Sequence, residues 1–181
     1  MPHPVTAALP TVLHPMKSRR IASILSVLLG WSILFIGAAH AASASLPMAD
    51  DLAAAGRAAA ARGQPLVVMV SLPHCPYCHI VRQQYLLPMA ERNEIEVREV
   101  DMMSSRMLRD FDGRQVSSRA WAREREVKLA PTVLFLDAAG RQLAGSLVGV
   151  SAEFYGAYLD QALAASRQRL AKAHGTIPAS D

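Results

Sequence analysis

Cysteine is scarce: the chain has two in 181 residues, too few to staple a small disulfide-rich domain. Aromatic residues make up only 6% and charged residues 19%. The hydrophobic share of 51% is nevertheless too high for a wholly disordered chain. There is no internal repeat, and no low-complexity tract beyond an alanine bias. Acidic residues are missing from the first 41 positions, which hold Lys17, Arg19 and Arg20. That stretch supplies most of the formal net charge of +4; beyond it, 16 basic residues face 15 acidic ones. No phosphate-binding stripe remains, so no nucleic-acid partner is expected. The length suits one domain with an appended segment.

The appended segment comes first. Ile21 to Ala39 is uncharged, follows the cluster Lys17, Arg19 and Arg20, and runs into Ala39-His40-Ala41, with a second small-residue exit at Ala42-Ser43-Ala44. Positive flank, apolar core and small-residue exit make a secretory signal peptide. The competing reading is an uncleaved anchor, the only membrane contact expected, since such a stretch at about 1.5 Å per residue nearly spans the ~30 Å hydrocarbon core. Serines, glycines and the alanine-rich exit favour cleavage. Residues 1–15 carry Pro2, Pro4, Pro10 and Pro15 and no basic side chain, whereas Met16 opens Met-Lys-Ser-Arg-Arg. Translation is therefore expected to start at Met16. The plan is a leader at 1–41, a linker at 42–49, a domain at 50–170 and a frayed tail at 171–181. The domain is expected outside the cytoplasmic membrane, where disulfides persist.

Within the domain, Asp50 to Arg62 predicts a helix capped by Asp50 or Asp51 and stopped by Gly63. Leu66 to Val70 is a continuous apolar run, the pattern of a strand buried on both faces. A helix follows from Pro76 towards Met89, with proline at the first position, where its missing N–H is no loss. Ile95 to Val100 alternates apolar and charged residues, predicting a strand with one wetter face. Asp101 to Ala130 is less regular, with a turn at Asp112-Gly113 and a helix from Ser118 to about Val127. That helix would pair Glu124 with Lys128 and pack Trp121 inward. Met102, Met103 and Met107 read as core filler. Pro131 opens a strand over Thr132 to Leu136, and a turn at Asp137-Gly140 leads into a hairpin partner from Gln142 to Val148. Ser151 caps a last helix with Phe154, Tyr158, Ala162 and Leu163 on its apolar face. The order is α/β.

Between the first strand and its helix lies Pro73-His74-Cys75-Pro76-Tyr77-Cys78-His79. A sulfur at a helix N-terminus meets unpaired backbone N–H groups and the positive end of the macrodipole, which stabilise a thiolate. Thiolate is the form that attacks a disulfide, and a second cysteine one turn on is placed to resolve the mixed disulfide. On this reading Cys75 is the nucleophile and Cys78 the resolving thiol. Other readings compete. A structural disulfide gains little from so short a loop. A zinc site needs two further ligands, and His40, His74, His79 and His174 offer no paired spacing. A binding module without turnover is a third. The most serious is haem: Cys75-x-x-Cys78-His79 matches the c-type attachment signature, with His79 as an axial ligand and a methionine such as Met102 as the other. The apolar strand leading into the motif speaks against it.

Leu66 to Ser71, the Cys75-Pro76-Tyr77-Cys78 helix start and Ala130-Pro131-Thr132 before a strand and hairpin together resemble the thioredoxin-fold proteins. The resemblance covers roughly Asp50 to Ala165. It implies a central mixed sheet of about four strands flanked by helices, with the cysteine pair itself as the redox group and no dissociable cofactor. It also implies a cis peptide at Pro131, Ala130 offering its backbone to a substrate strand, and Pro76 and Tyr77 meeting that substrate. Asp110-Phe111-Asp112-Gly113, Ser118-Arg119-Ala120 and the run from Ala130 to Asp137 are similar to exported bacterial proteins of the sulfur-oxidation (Sox) type. That likeness implies a periplasmic reductase of protein disulfides fed by a membrane electron donor. Two positions depart from the family. Its buried acid six residues before the first cysteine is here Met69, so the proton must travel by water or another group. The aromatic before the first cysteine is here His74, which either favours the Cys75 thiolate when protonated or is an exposed loop residue. Mass spectrometry of the unprocessed precursor is expected to find an N-terminal peptide at Met16; a peptide covering Thr6 to Lys17 would show the opposite.

Overall fold

The computed structural model describes residues 45–150 and 153–175. The leader, the Met16 start, the cleavage positions and the Ser151 cap lie outside the described residues. Helix α1 spans Leu52–Ala61, and of the two aspartates Asp51 is the cap, accepting the Ala54 N–H at 2.7 Å. It stops where Gly63 takes φ +65° and the Gln64 N–H folds back to the Ala59 carbonyl, a left-handed exit that glycine adopts freely. Strand β1, Leu66–Ser71, is buried along its whole length.

Helix α2 begins at Pro76–Ile80, passes through a π-helical stretch at Val81–Leu86 and ends as α-helix at Leu87–Glu91. The widening follows from Pro88, which has no N–H to donate to the residue four positions back. Instead the Leu87 N–H reaches the Arg82 carbonyl, five residues back.

Strand β2, Glu96–Asp101, runs parallel to β1, with Met69 opposite Glu99. Residues 45–49, expected as linker, lie along β2: the Glu99 N–H donates to Pro47, the Ala49 N–H donates to Glu99, and Leu46 and Ala49 are buried. A two-stranded ribbon that the sequence did not disclose follows, β3 at Met107–Arg109 and β4 at Gln115–Ser117. Helix α3, Ser118–Glu124, is capped by the Ser117 hydroxyl. It stops before Lys128, so the expected Glu124–Lys128 pair does not form; Glu124 meets Arg114 instead, at 2.9 Å.

Strand β5, Thr132–Leu136, lies antiparallel to β1, giving a four-stranded mixed sheet of order β2-β1-β5-β6. The hairpin partner is shorter than the predicted Gln142–Val148. Only β6, Leu147–Val148, and a bridge from Gln142 to Leu136 pair with β5. Helix α4 runs Tyr155–Gly175, five residues into the expected tail. Its inward face is Tyr155, Leu159, Ala162, Leu163 and Leu170, whereas Phe154 and Tyr158 are exposed.

The strand period of two sorts the apolar side chains into two cores. Val67, Met69, Val97, Val133 and Phe135 meet α2 and α4 on one face; Leu66, Val68, Val70, Leu134 and Leu136 meet α1 and α3 on the other. Trp121 is fully buried on the second face and donates its indole N–H to Asp110 at 3.0 Å. Met102 packs against this core, but Met103 and Met107 are more than half exposed, so two of the three methionines are not filler. At the Asp137–Gly140 turn, Gly140 has φ +76°, and a Cβ there would sit 2.5 Å from the Phe111 ring and 2.8 Å from the Arg125 guanidinium. Gly140→Ala is therefore expected to destabilise the fold by about 3 kcal/mol in urea unfolding, from left-handed backbone plus clash. Gly63→Ala, with φ +65° but open space around it, costs about 1 kcal/mol from the backbone alone.

Candidate active site

The end of β1 delivers the chain through Leu72-Pro73-His74 to Cys75, which occupies the N-cap of α2 in extended geometry (φ −88°, ψ 109°). The cap is made by sulfur: the Cys78 backbone N–H donates to Cys75 Sγ at 3.1 Å. Pro76 follows at the first helical position, and the His79 N–H closes the first turn on the Cys75 carbonyl at 3.1 Å. Cys75 and Cys78 are joined by a disulfide with Cα atoms 5.2 Å apart, inside the usual range. Their surroundings differ. Cys78 is 1% exposed within the core beside Met69 and Val81, while Cys75 is half-buried at its margin.

Antiparallel pairing of Val70 with Thr132 sets the start of β5 beside the end of β1. Ala130-Pro131 therefore lies at the sheet end from which Cys75 emerges. Ala130 and Cys75 pack against the same core. The Ala130–Pro131 peptide is cis, Pro131 is buried, and its carbonyl accepts the Gly149 N–H at 2.8 Å. Tyr77 and Leu129, 60% and 64% exposed, are the large apolar side chains on either hand. His74 is exposed with φ +54°, a region where histidine is among the better-tolerated side chains.

On the β2 side of Cys75 lies an open cavity of about 460 Å³. Its ionisable lining is His74, His79, Arg82, Glu99 and Asp101. Glu99 is buried because it shares the inward face of β2 with Val97, while Glu96 and Arg98 form the expected wetter face. Arg82 grips it from α2 with two N–H donors, Nε at 2.8 Å from Oε2 and Nη2 on Oε1. The hydrogen bond to Glu99 raises the Arg82 pKa above its ordinary value, against the lowering by burial. Sequence reasoning passed over this pair. The available signal was the four-residue spacing from Cys78 to Arg82, which sets both on one helical face.

The methionine named for the haem alternative is not at the motif, although Met48 lines the cavity together with His79. Met102 packs against the core on the far face of the sheet from Cys75, so it is not gathered with His79 around the motif. Among the described residues, no group of three or more His, Cys, Asp and Glu side chains is placed to hold a metal. No helix of the described residues is long and apolar enough to cross a membrane.

Residues 52–163, more than half of the chain, match the family model described as Thioredoxin-like domain. The chain belongs to that family. No curated protein matches the sequence. Among solved structures it is similar to thioredoxin O2 from Arabidopsis thaliana, at 16% identity and a TM-score of 0.46, over 66% of this chain and 96% of that one. Mitochondrial thioredoxin 3 from Saccharomyces cerevisiae stands at 18% identity and 0.44, over 66% and 93%. The thioredoxin fold is that of the mixed four-stranded sheet with helices on both faces described above.

Proposed function

We propose that the protein is an exported thiol–disulfide oxidoreductase that reduces disulfides in partner proteins. The observation that carries the reading is the asymmetry of the pair: a half-buried sulfur capping a helix at the margin of the core, bonded to a fully buried one a turn away. In the reduced state, a Cys75 thiolate attacks a partner disulfide and expels one partner thiolate, which takes a proton. Cys78 then gives up its proton and attacks Cys75, releasing the second partner thiol and restoring the disulfide. Two electrons pass to the partner with two protons, one from Cys78 and one from water, which took the Cys75 proton when the thiolate formed. The cysteine pair is the redox group and no dissociable cofactor takes part.

Ala130 presents its backbone to an extended partner segment, Pro131 and Pro76 frame the sulfur, and Tyr77 gives an apolar contact. The reductase direction is favoured by the small insertion between Cys78 and Pro131, which beyond α2 and β2 amounts to a short ribbon and a seven-residue helix. The motifs at 110–113, 118–120 and 130–137 support a place among the Sox-type periplasmic proteins, and the charge and apolar pattern of residues 16–41 supports export. A periplasmic reductase needs electrons from across the membrane, so its partner on that side is a membrane donor.

The purified protein is expected to reduce insulin with dithiothreitol, with activity lost in Cys75→Ser, and to show a reduction potential of about −270 mV, the range of reductants. A value of about −120 mV would reverse the direction, and a Soret band would assign the cysteines to haem. Tyr77→Ser is expected to leave stability within about 0.5 kcal/mol and to raise KM for insulin about tenfold through the lost aromatic contact.

A further inference from the structure

The cavity beside Cys75 is lined in part by a charge pair, a buried carboxylate and a half-buried guanidinium, that the exchange chemistry does not use. Glu99 has a side chain only 8% exposed, and that of Arg82 is 19% exposed. They come from different elements, α2 and β2, and both line the cavity that Cys75 lines. Charges this sheltered are weakly screened by salt and act on neighbours through a low effective dielectric. A disulfide carries no charge, so only the reduced state, with a thiolate at Cys75, feels their field. Arg82 alone would stabilise that thiolate, and Glu99 alone would disfavour it.

We propose that the Arg82–Glu99 pair trims the field at the Cys75 sulfur, the carboxylate cancelling a half-buried cation that would otherwise make this thiol more acidic and the cysteine pair more oxidising. The inference rests on the redox reading of Cys75 given above. Stabilising the thiolate stabilises the reduced enzyme, which raises the potential, the route by which the strongest oxidants of this chemistry operate. With the cation cancelled, the helix N-terminus is left as the main source of thiolate stabilisation, which fits a reductant. Arg82 and Glu99 are positioning residues on this account, since both act through Cys75. His74, His79 and Asp101 also face the cavity and stay in place in every variant, so differences between variants report the pair.

The experiment titrates Cys75 by iodoacetamide alkylation in the reduced full-length protein, alongside the reduction potential. Glu99→Gln keeps the side-chain shape and unmasks the cation. Its Cys75 ionisation constant is expected to rise about tenfold, within the range for one nearby charge, with a potential higher by up to about 30 mV at 29.6 mV per decade. Arg82→Met should move both quantities the opposite way, and Arg82→Lys, which keeps the charge, should hold the constant within about twofold of the original. A pair that only clips α2 to β2 would give no such opposition of sign. Equal or absent shifts in the two variants would overturn the proposal, even with insulin reduction intact. If Arg82→Met does not fold, Glu99→Gln decides alone: an unchanged or lowered constant ends the idea. If Glu99→Gln does not fold, Arg82→Met decides in the same way with the sign reversed. Failure of the redox reading looks different, since insulin turnover would then be absent or would survive Cys75→Ser.

Discussion

The hydrogen bond from the Cys78 N–H to the Cys75 sulfur fixes the reactive end of this protein. It makes a cysteine the N-cap of α2, and an N-cap must stand half outside its helix with extended backbone. Cys75 therefore stays at the margin of the core while Cys78, one turn in, is enclosed by it. The same bond satisfies one of the orphan N–H groups of the helix with sulfur rather than water. Ordinary helix capping and the separation of roles between two adjacent cysteines are thus one feature.

That feature needs a rigid mount, and β1 supplies it. The strand is buried on both faces and paired on both sides, parallel to β2 and antiparallel to β5. Neither face nor either edge can move without breaking core contacts or a ladder. The consequence reaches both neighbours. On the β5 side the register brings Ala130-Pro131 to the sulfur's end of the sheet; on the β2 side it sets Glu99 beside Met69. One approach to Cys75 is lined by a buried proline and exposed apolar side chains, while the other sets ionisable groups among apolar ones. Such a division suits a protein that holds a partner on one side of its sulfur and sets the electrostatics of that sulfur from the other.

The departures from local expectation have two causes, proline chemistry and packing. The α2 helix widens because Pro88 interrupts its ladder and the Arg82 carbonyl takes a donor five residues on. The β5 hairpin partner is cut to two residues because the chain leaves the ladder from Ala144 to Ser146, after a bridge at Gln142 closed by the Leu143 N–H on the Phe135 carbonyl. Phe154 and Tyr158, apolar and helically spaced, face outward because Tyr155 and Leu159 already fill the space over the sheet. In the hairpin and the last helix the local pattern admitted two outcomes and packing selected one, whereas the widening of α2 follows from proline chemistry.

Short-range pattern was enough for β1, for the start of α2 at Pro76, for the turn at Gly140 and for the strand after Pro131. These rest on side-chain period, φ preference and proline chemistry, all of which act within a few residues. The same range made Cys75 and Cys78 legible as a pair. What tertiary structure alone decided was burial and partnership. The strand period put Glu99 on the face of Ile95 and Val97, but nothing within a few residues marked a buried carboxylate there as the partner of Arg82, seventeen positions earlier. Residues 45–49 looked like linker until β2 offered them an edge, and the β3–β4 ribbon formed from a segment with too little period to declare itself. A side chain's solvent exposure depends on what the rest of the chain brings against it, and that information is spread over the whole sequence rather than written beside the residue.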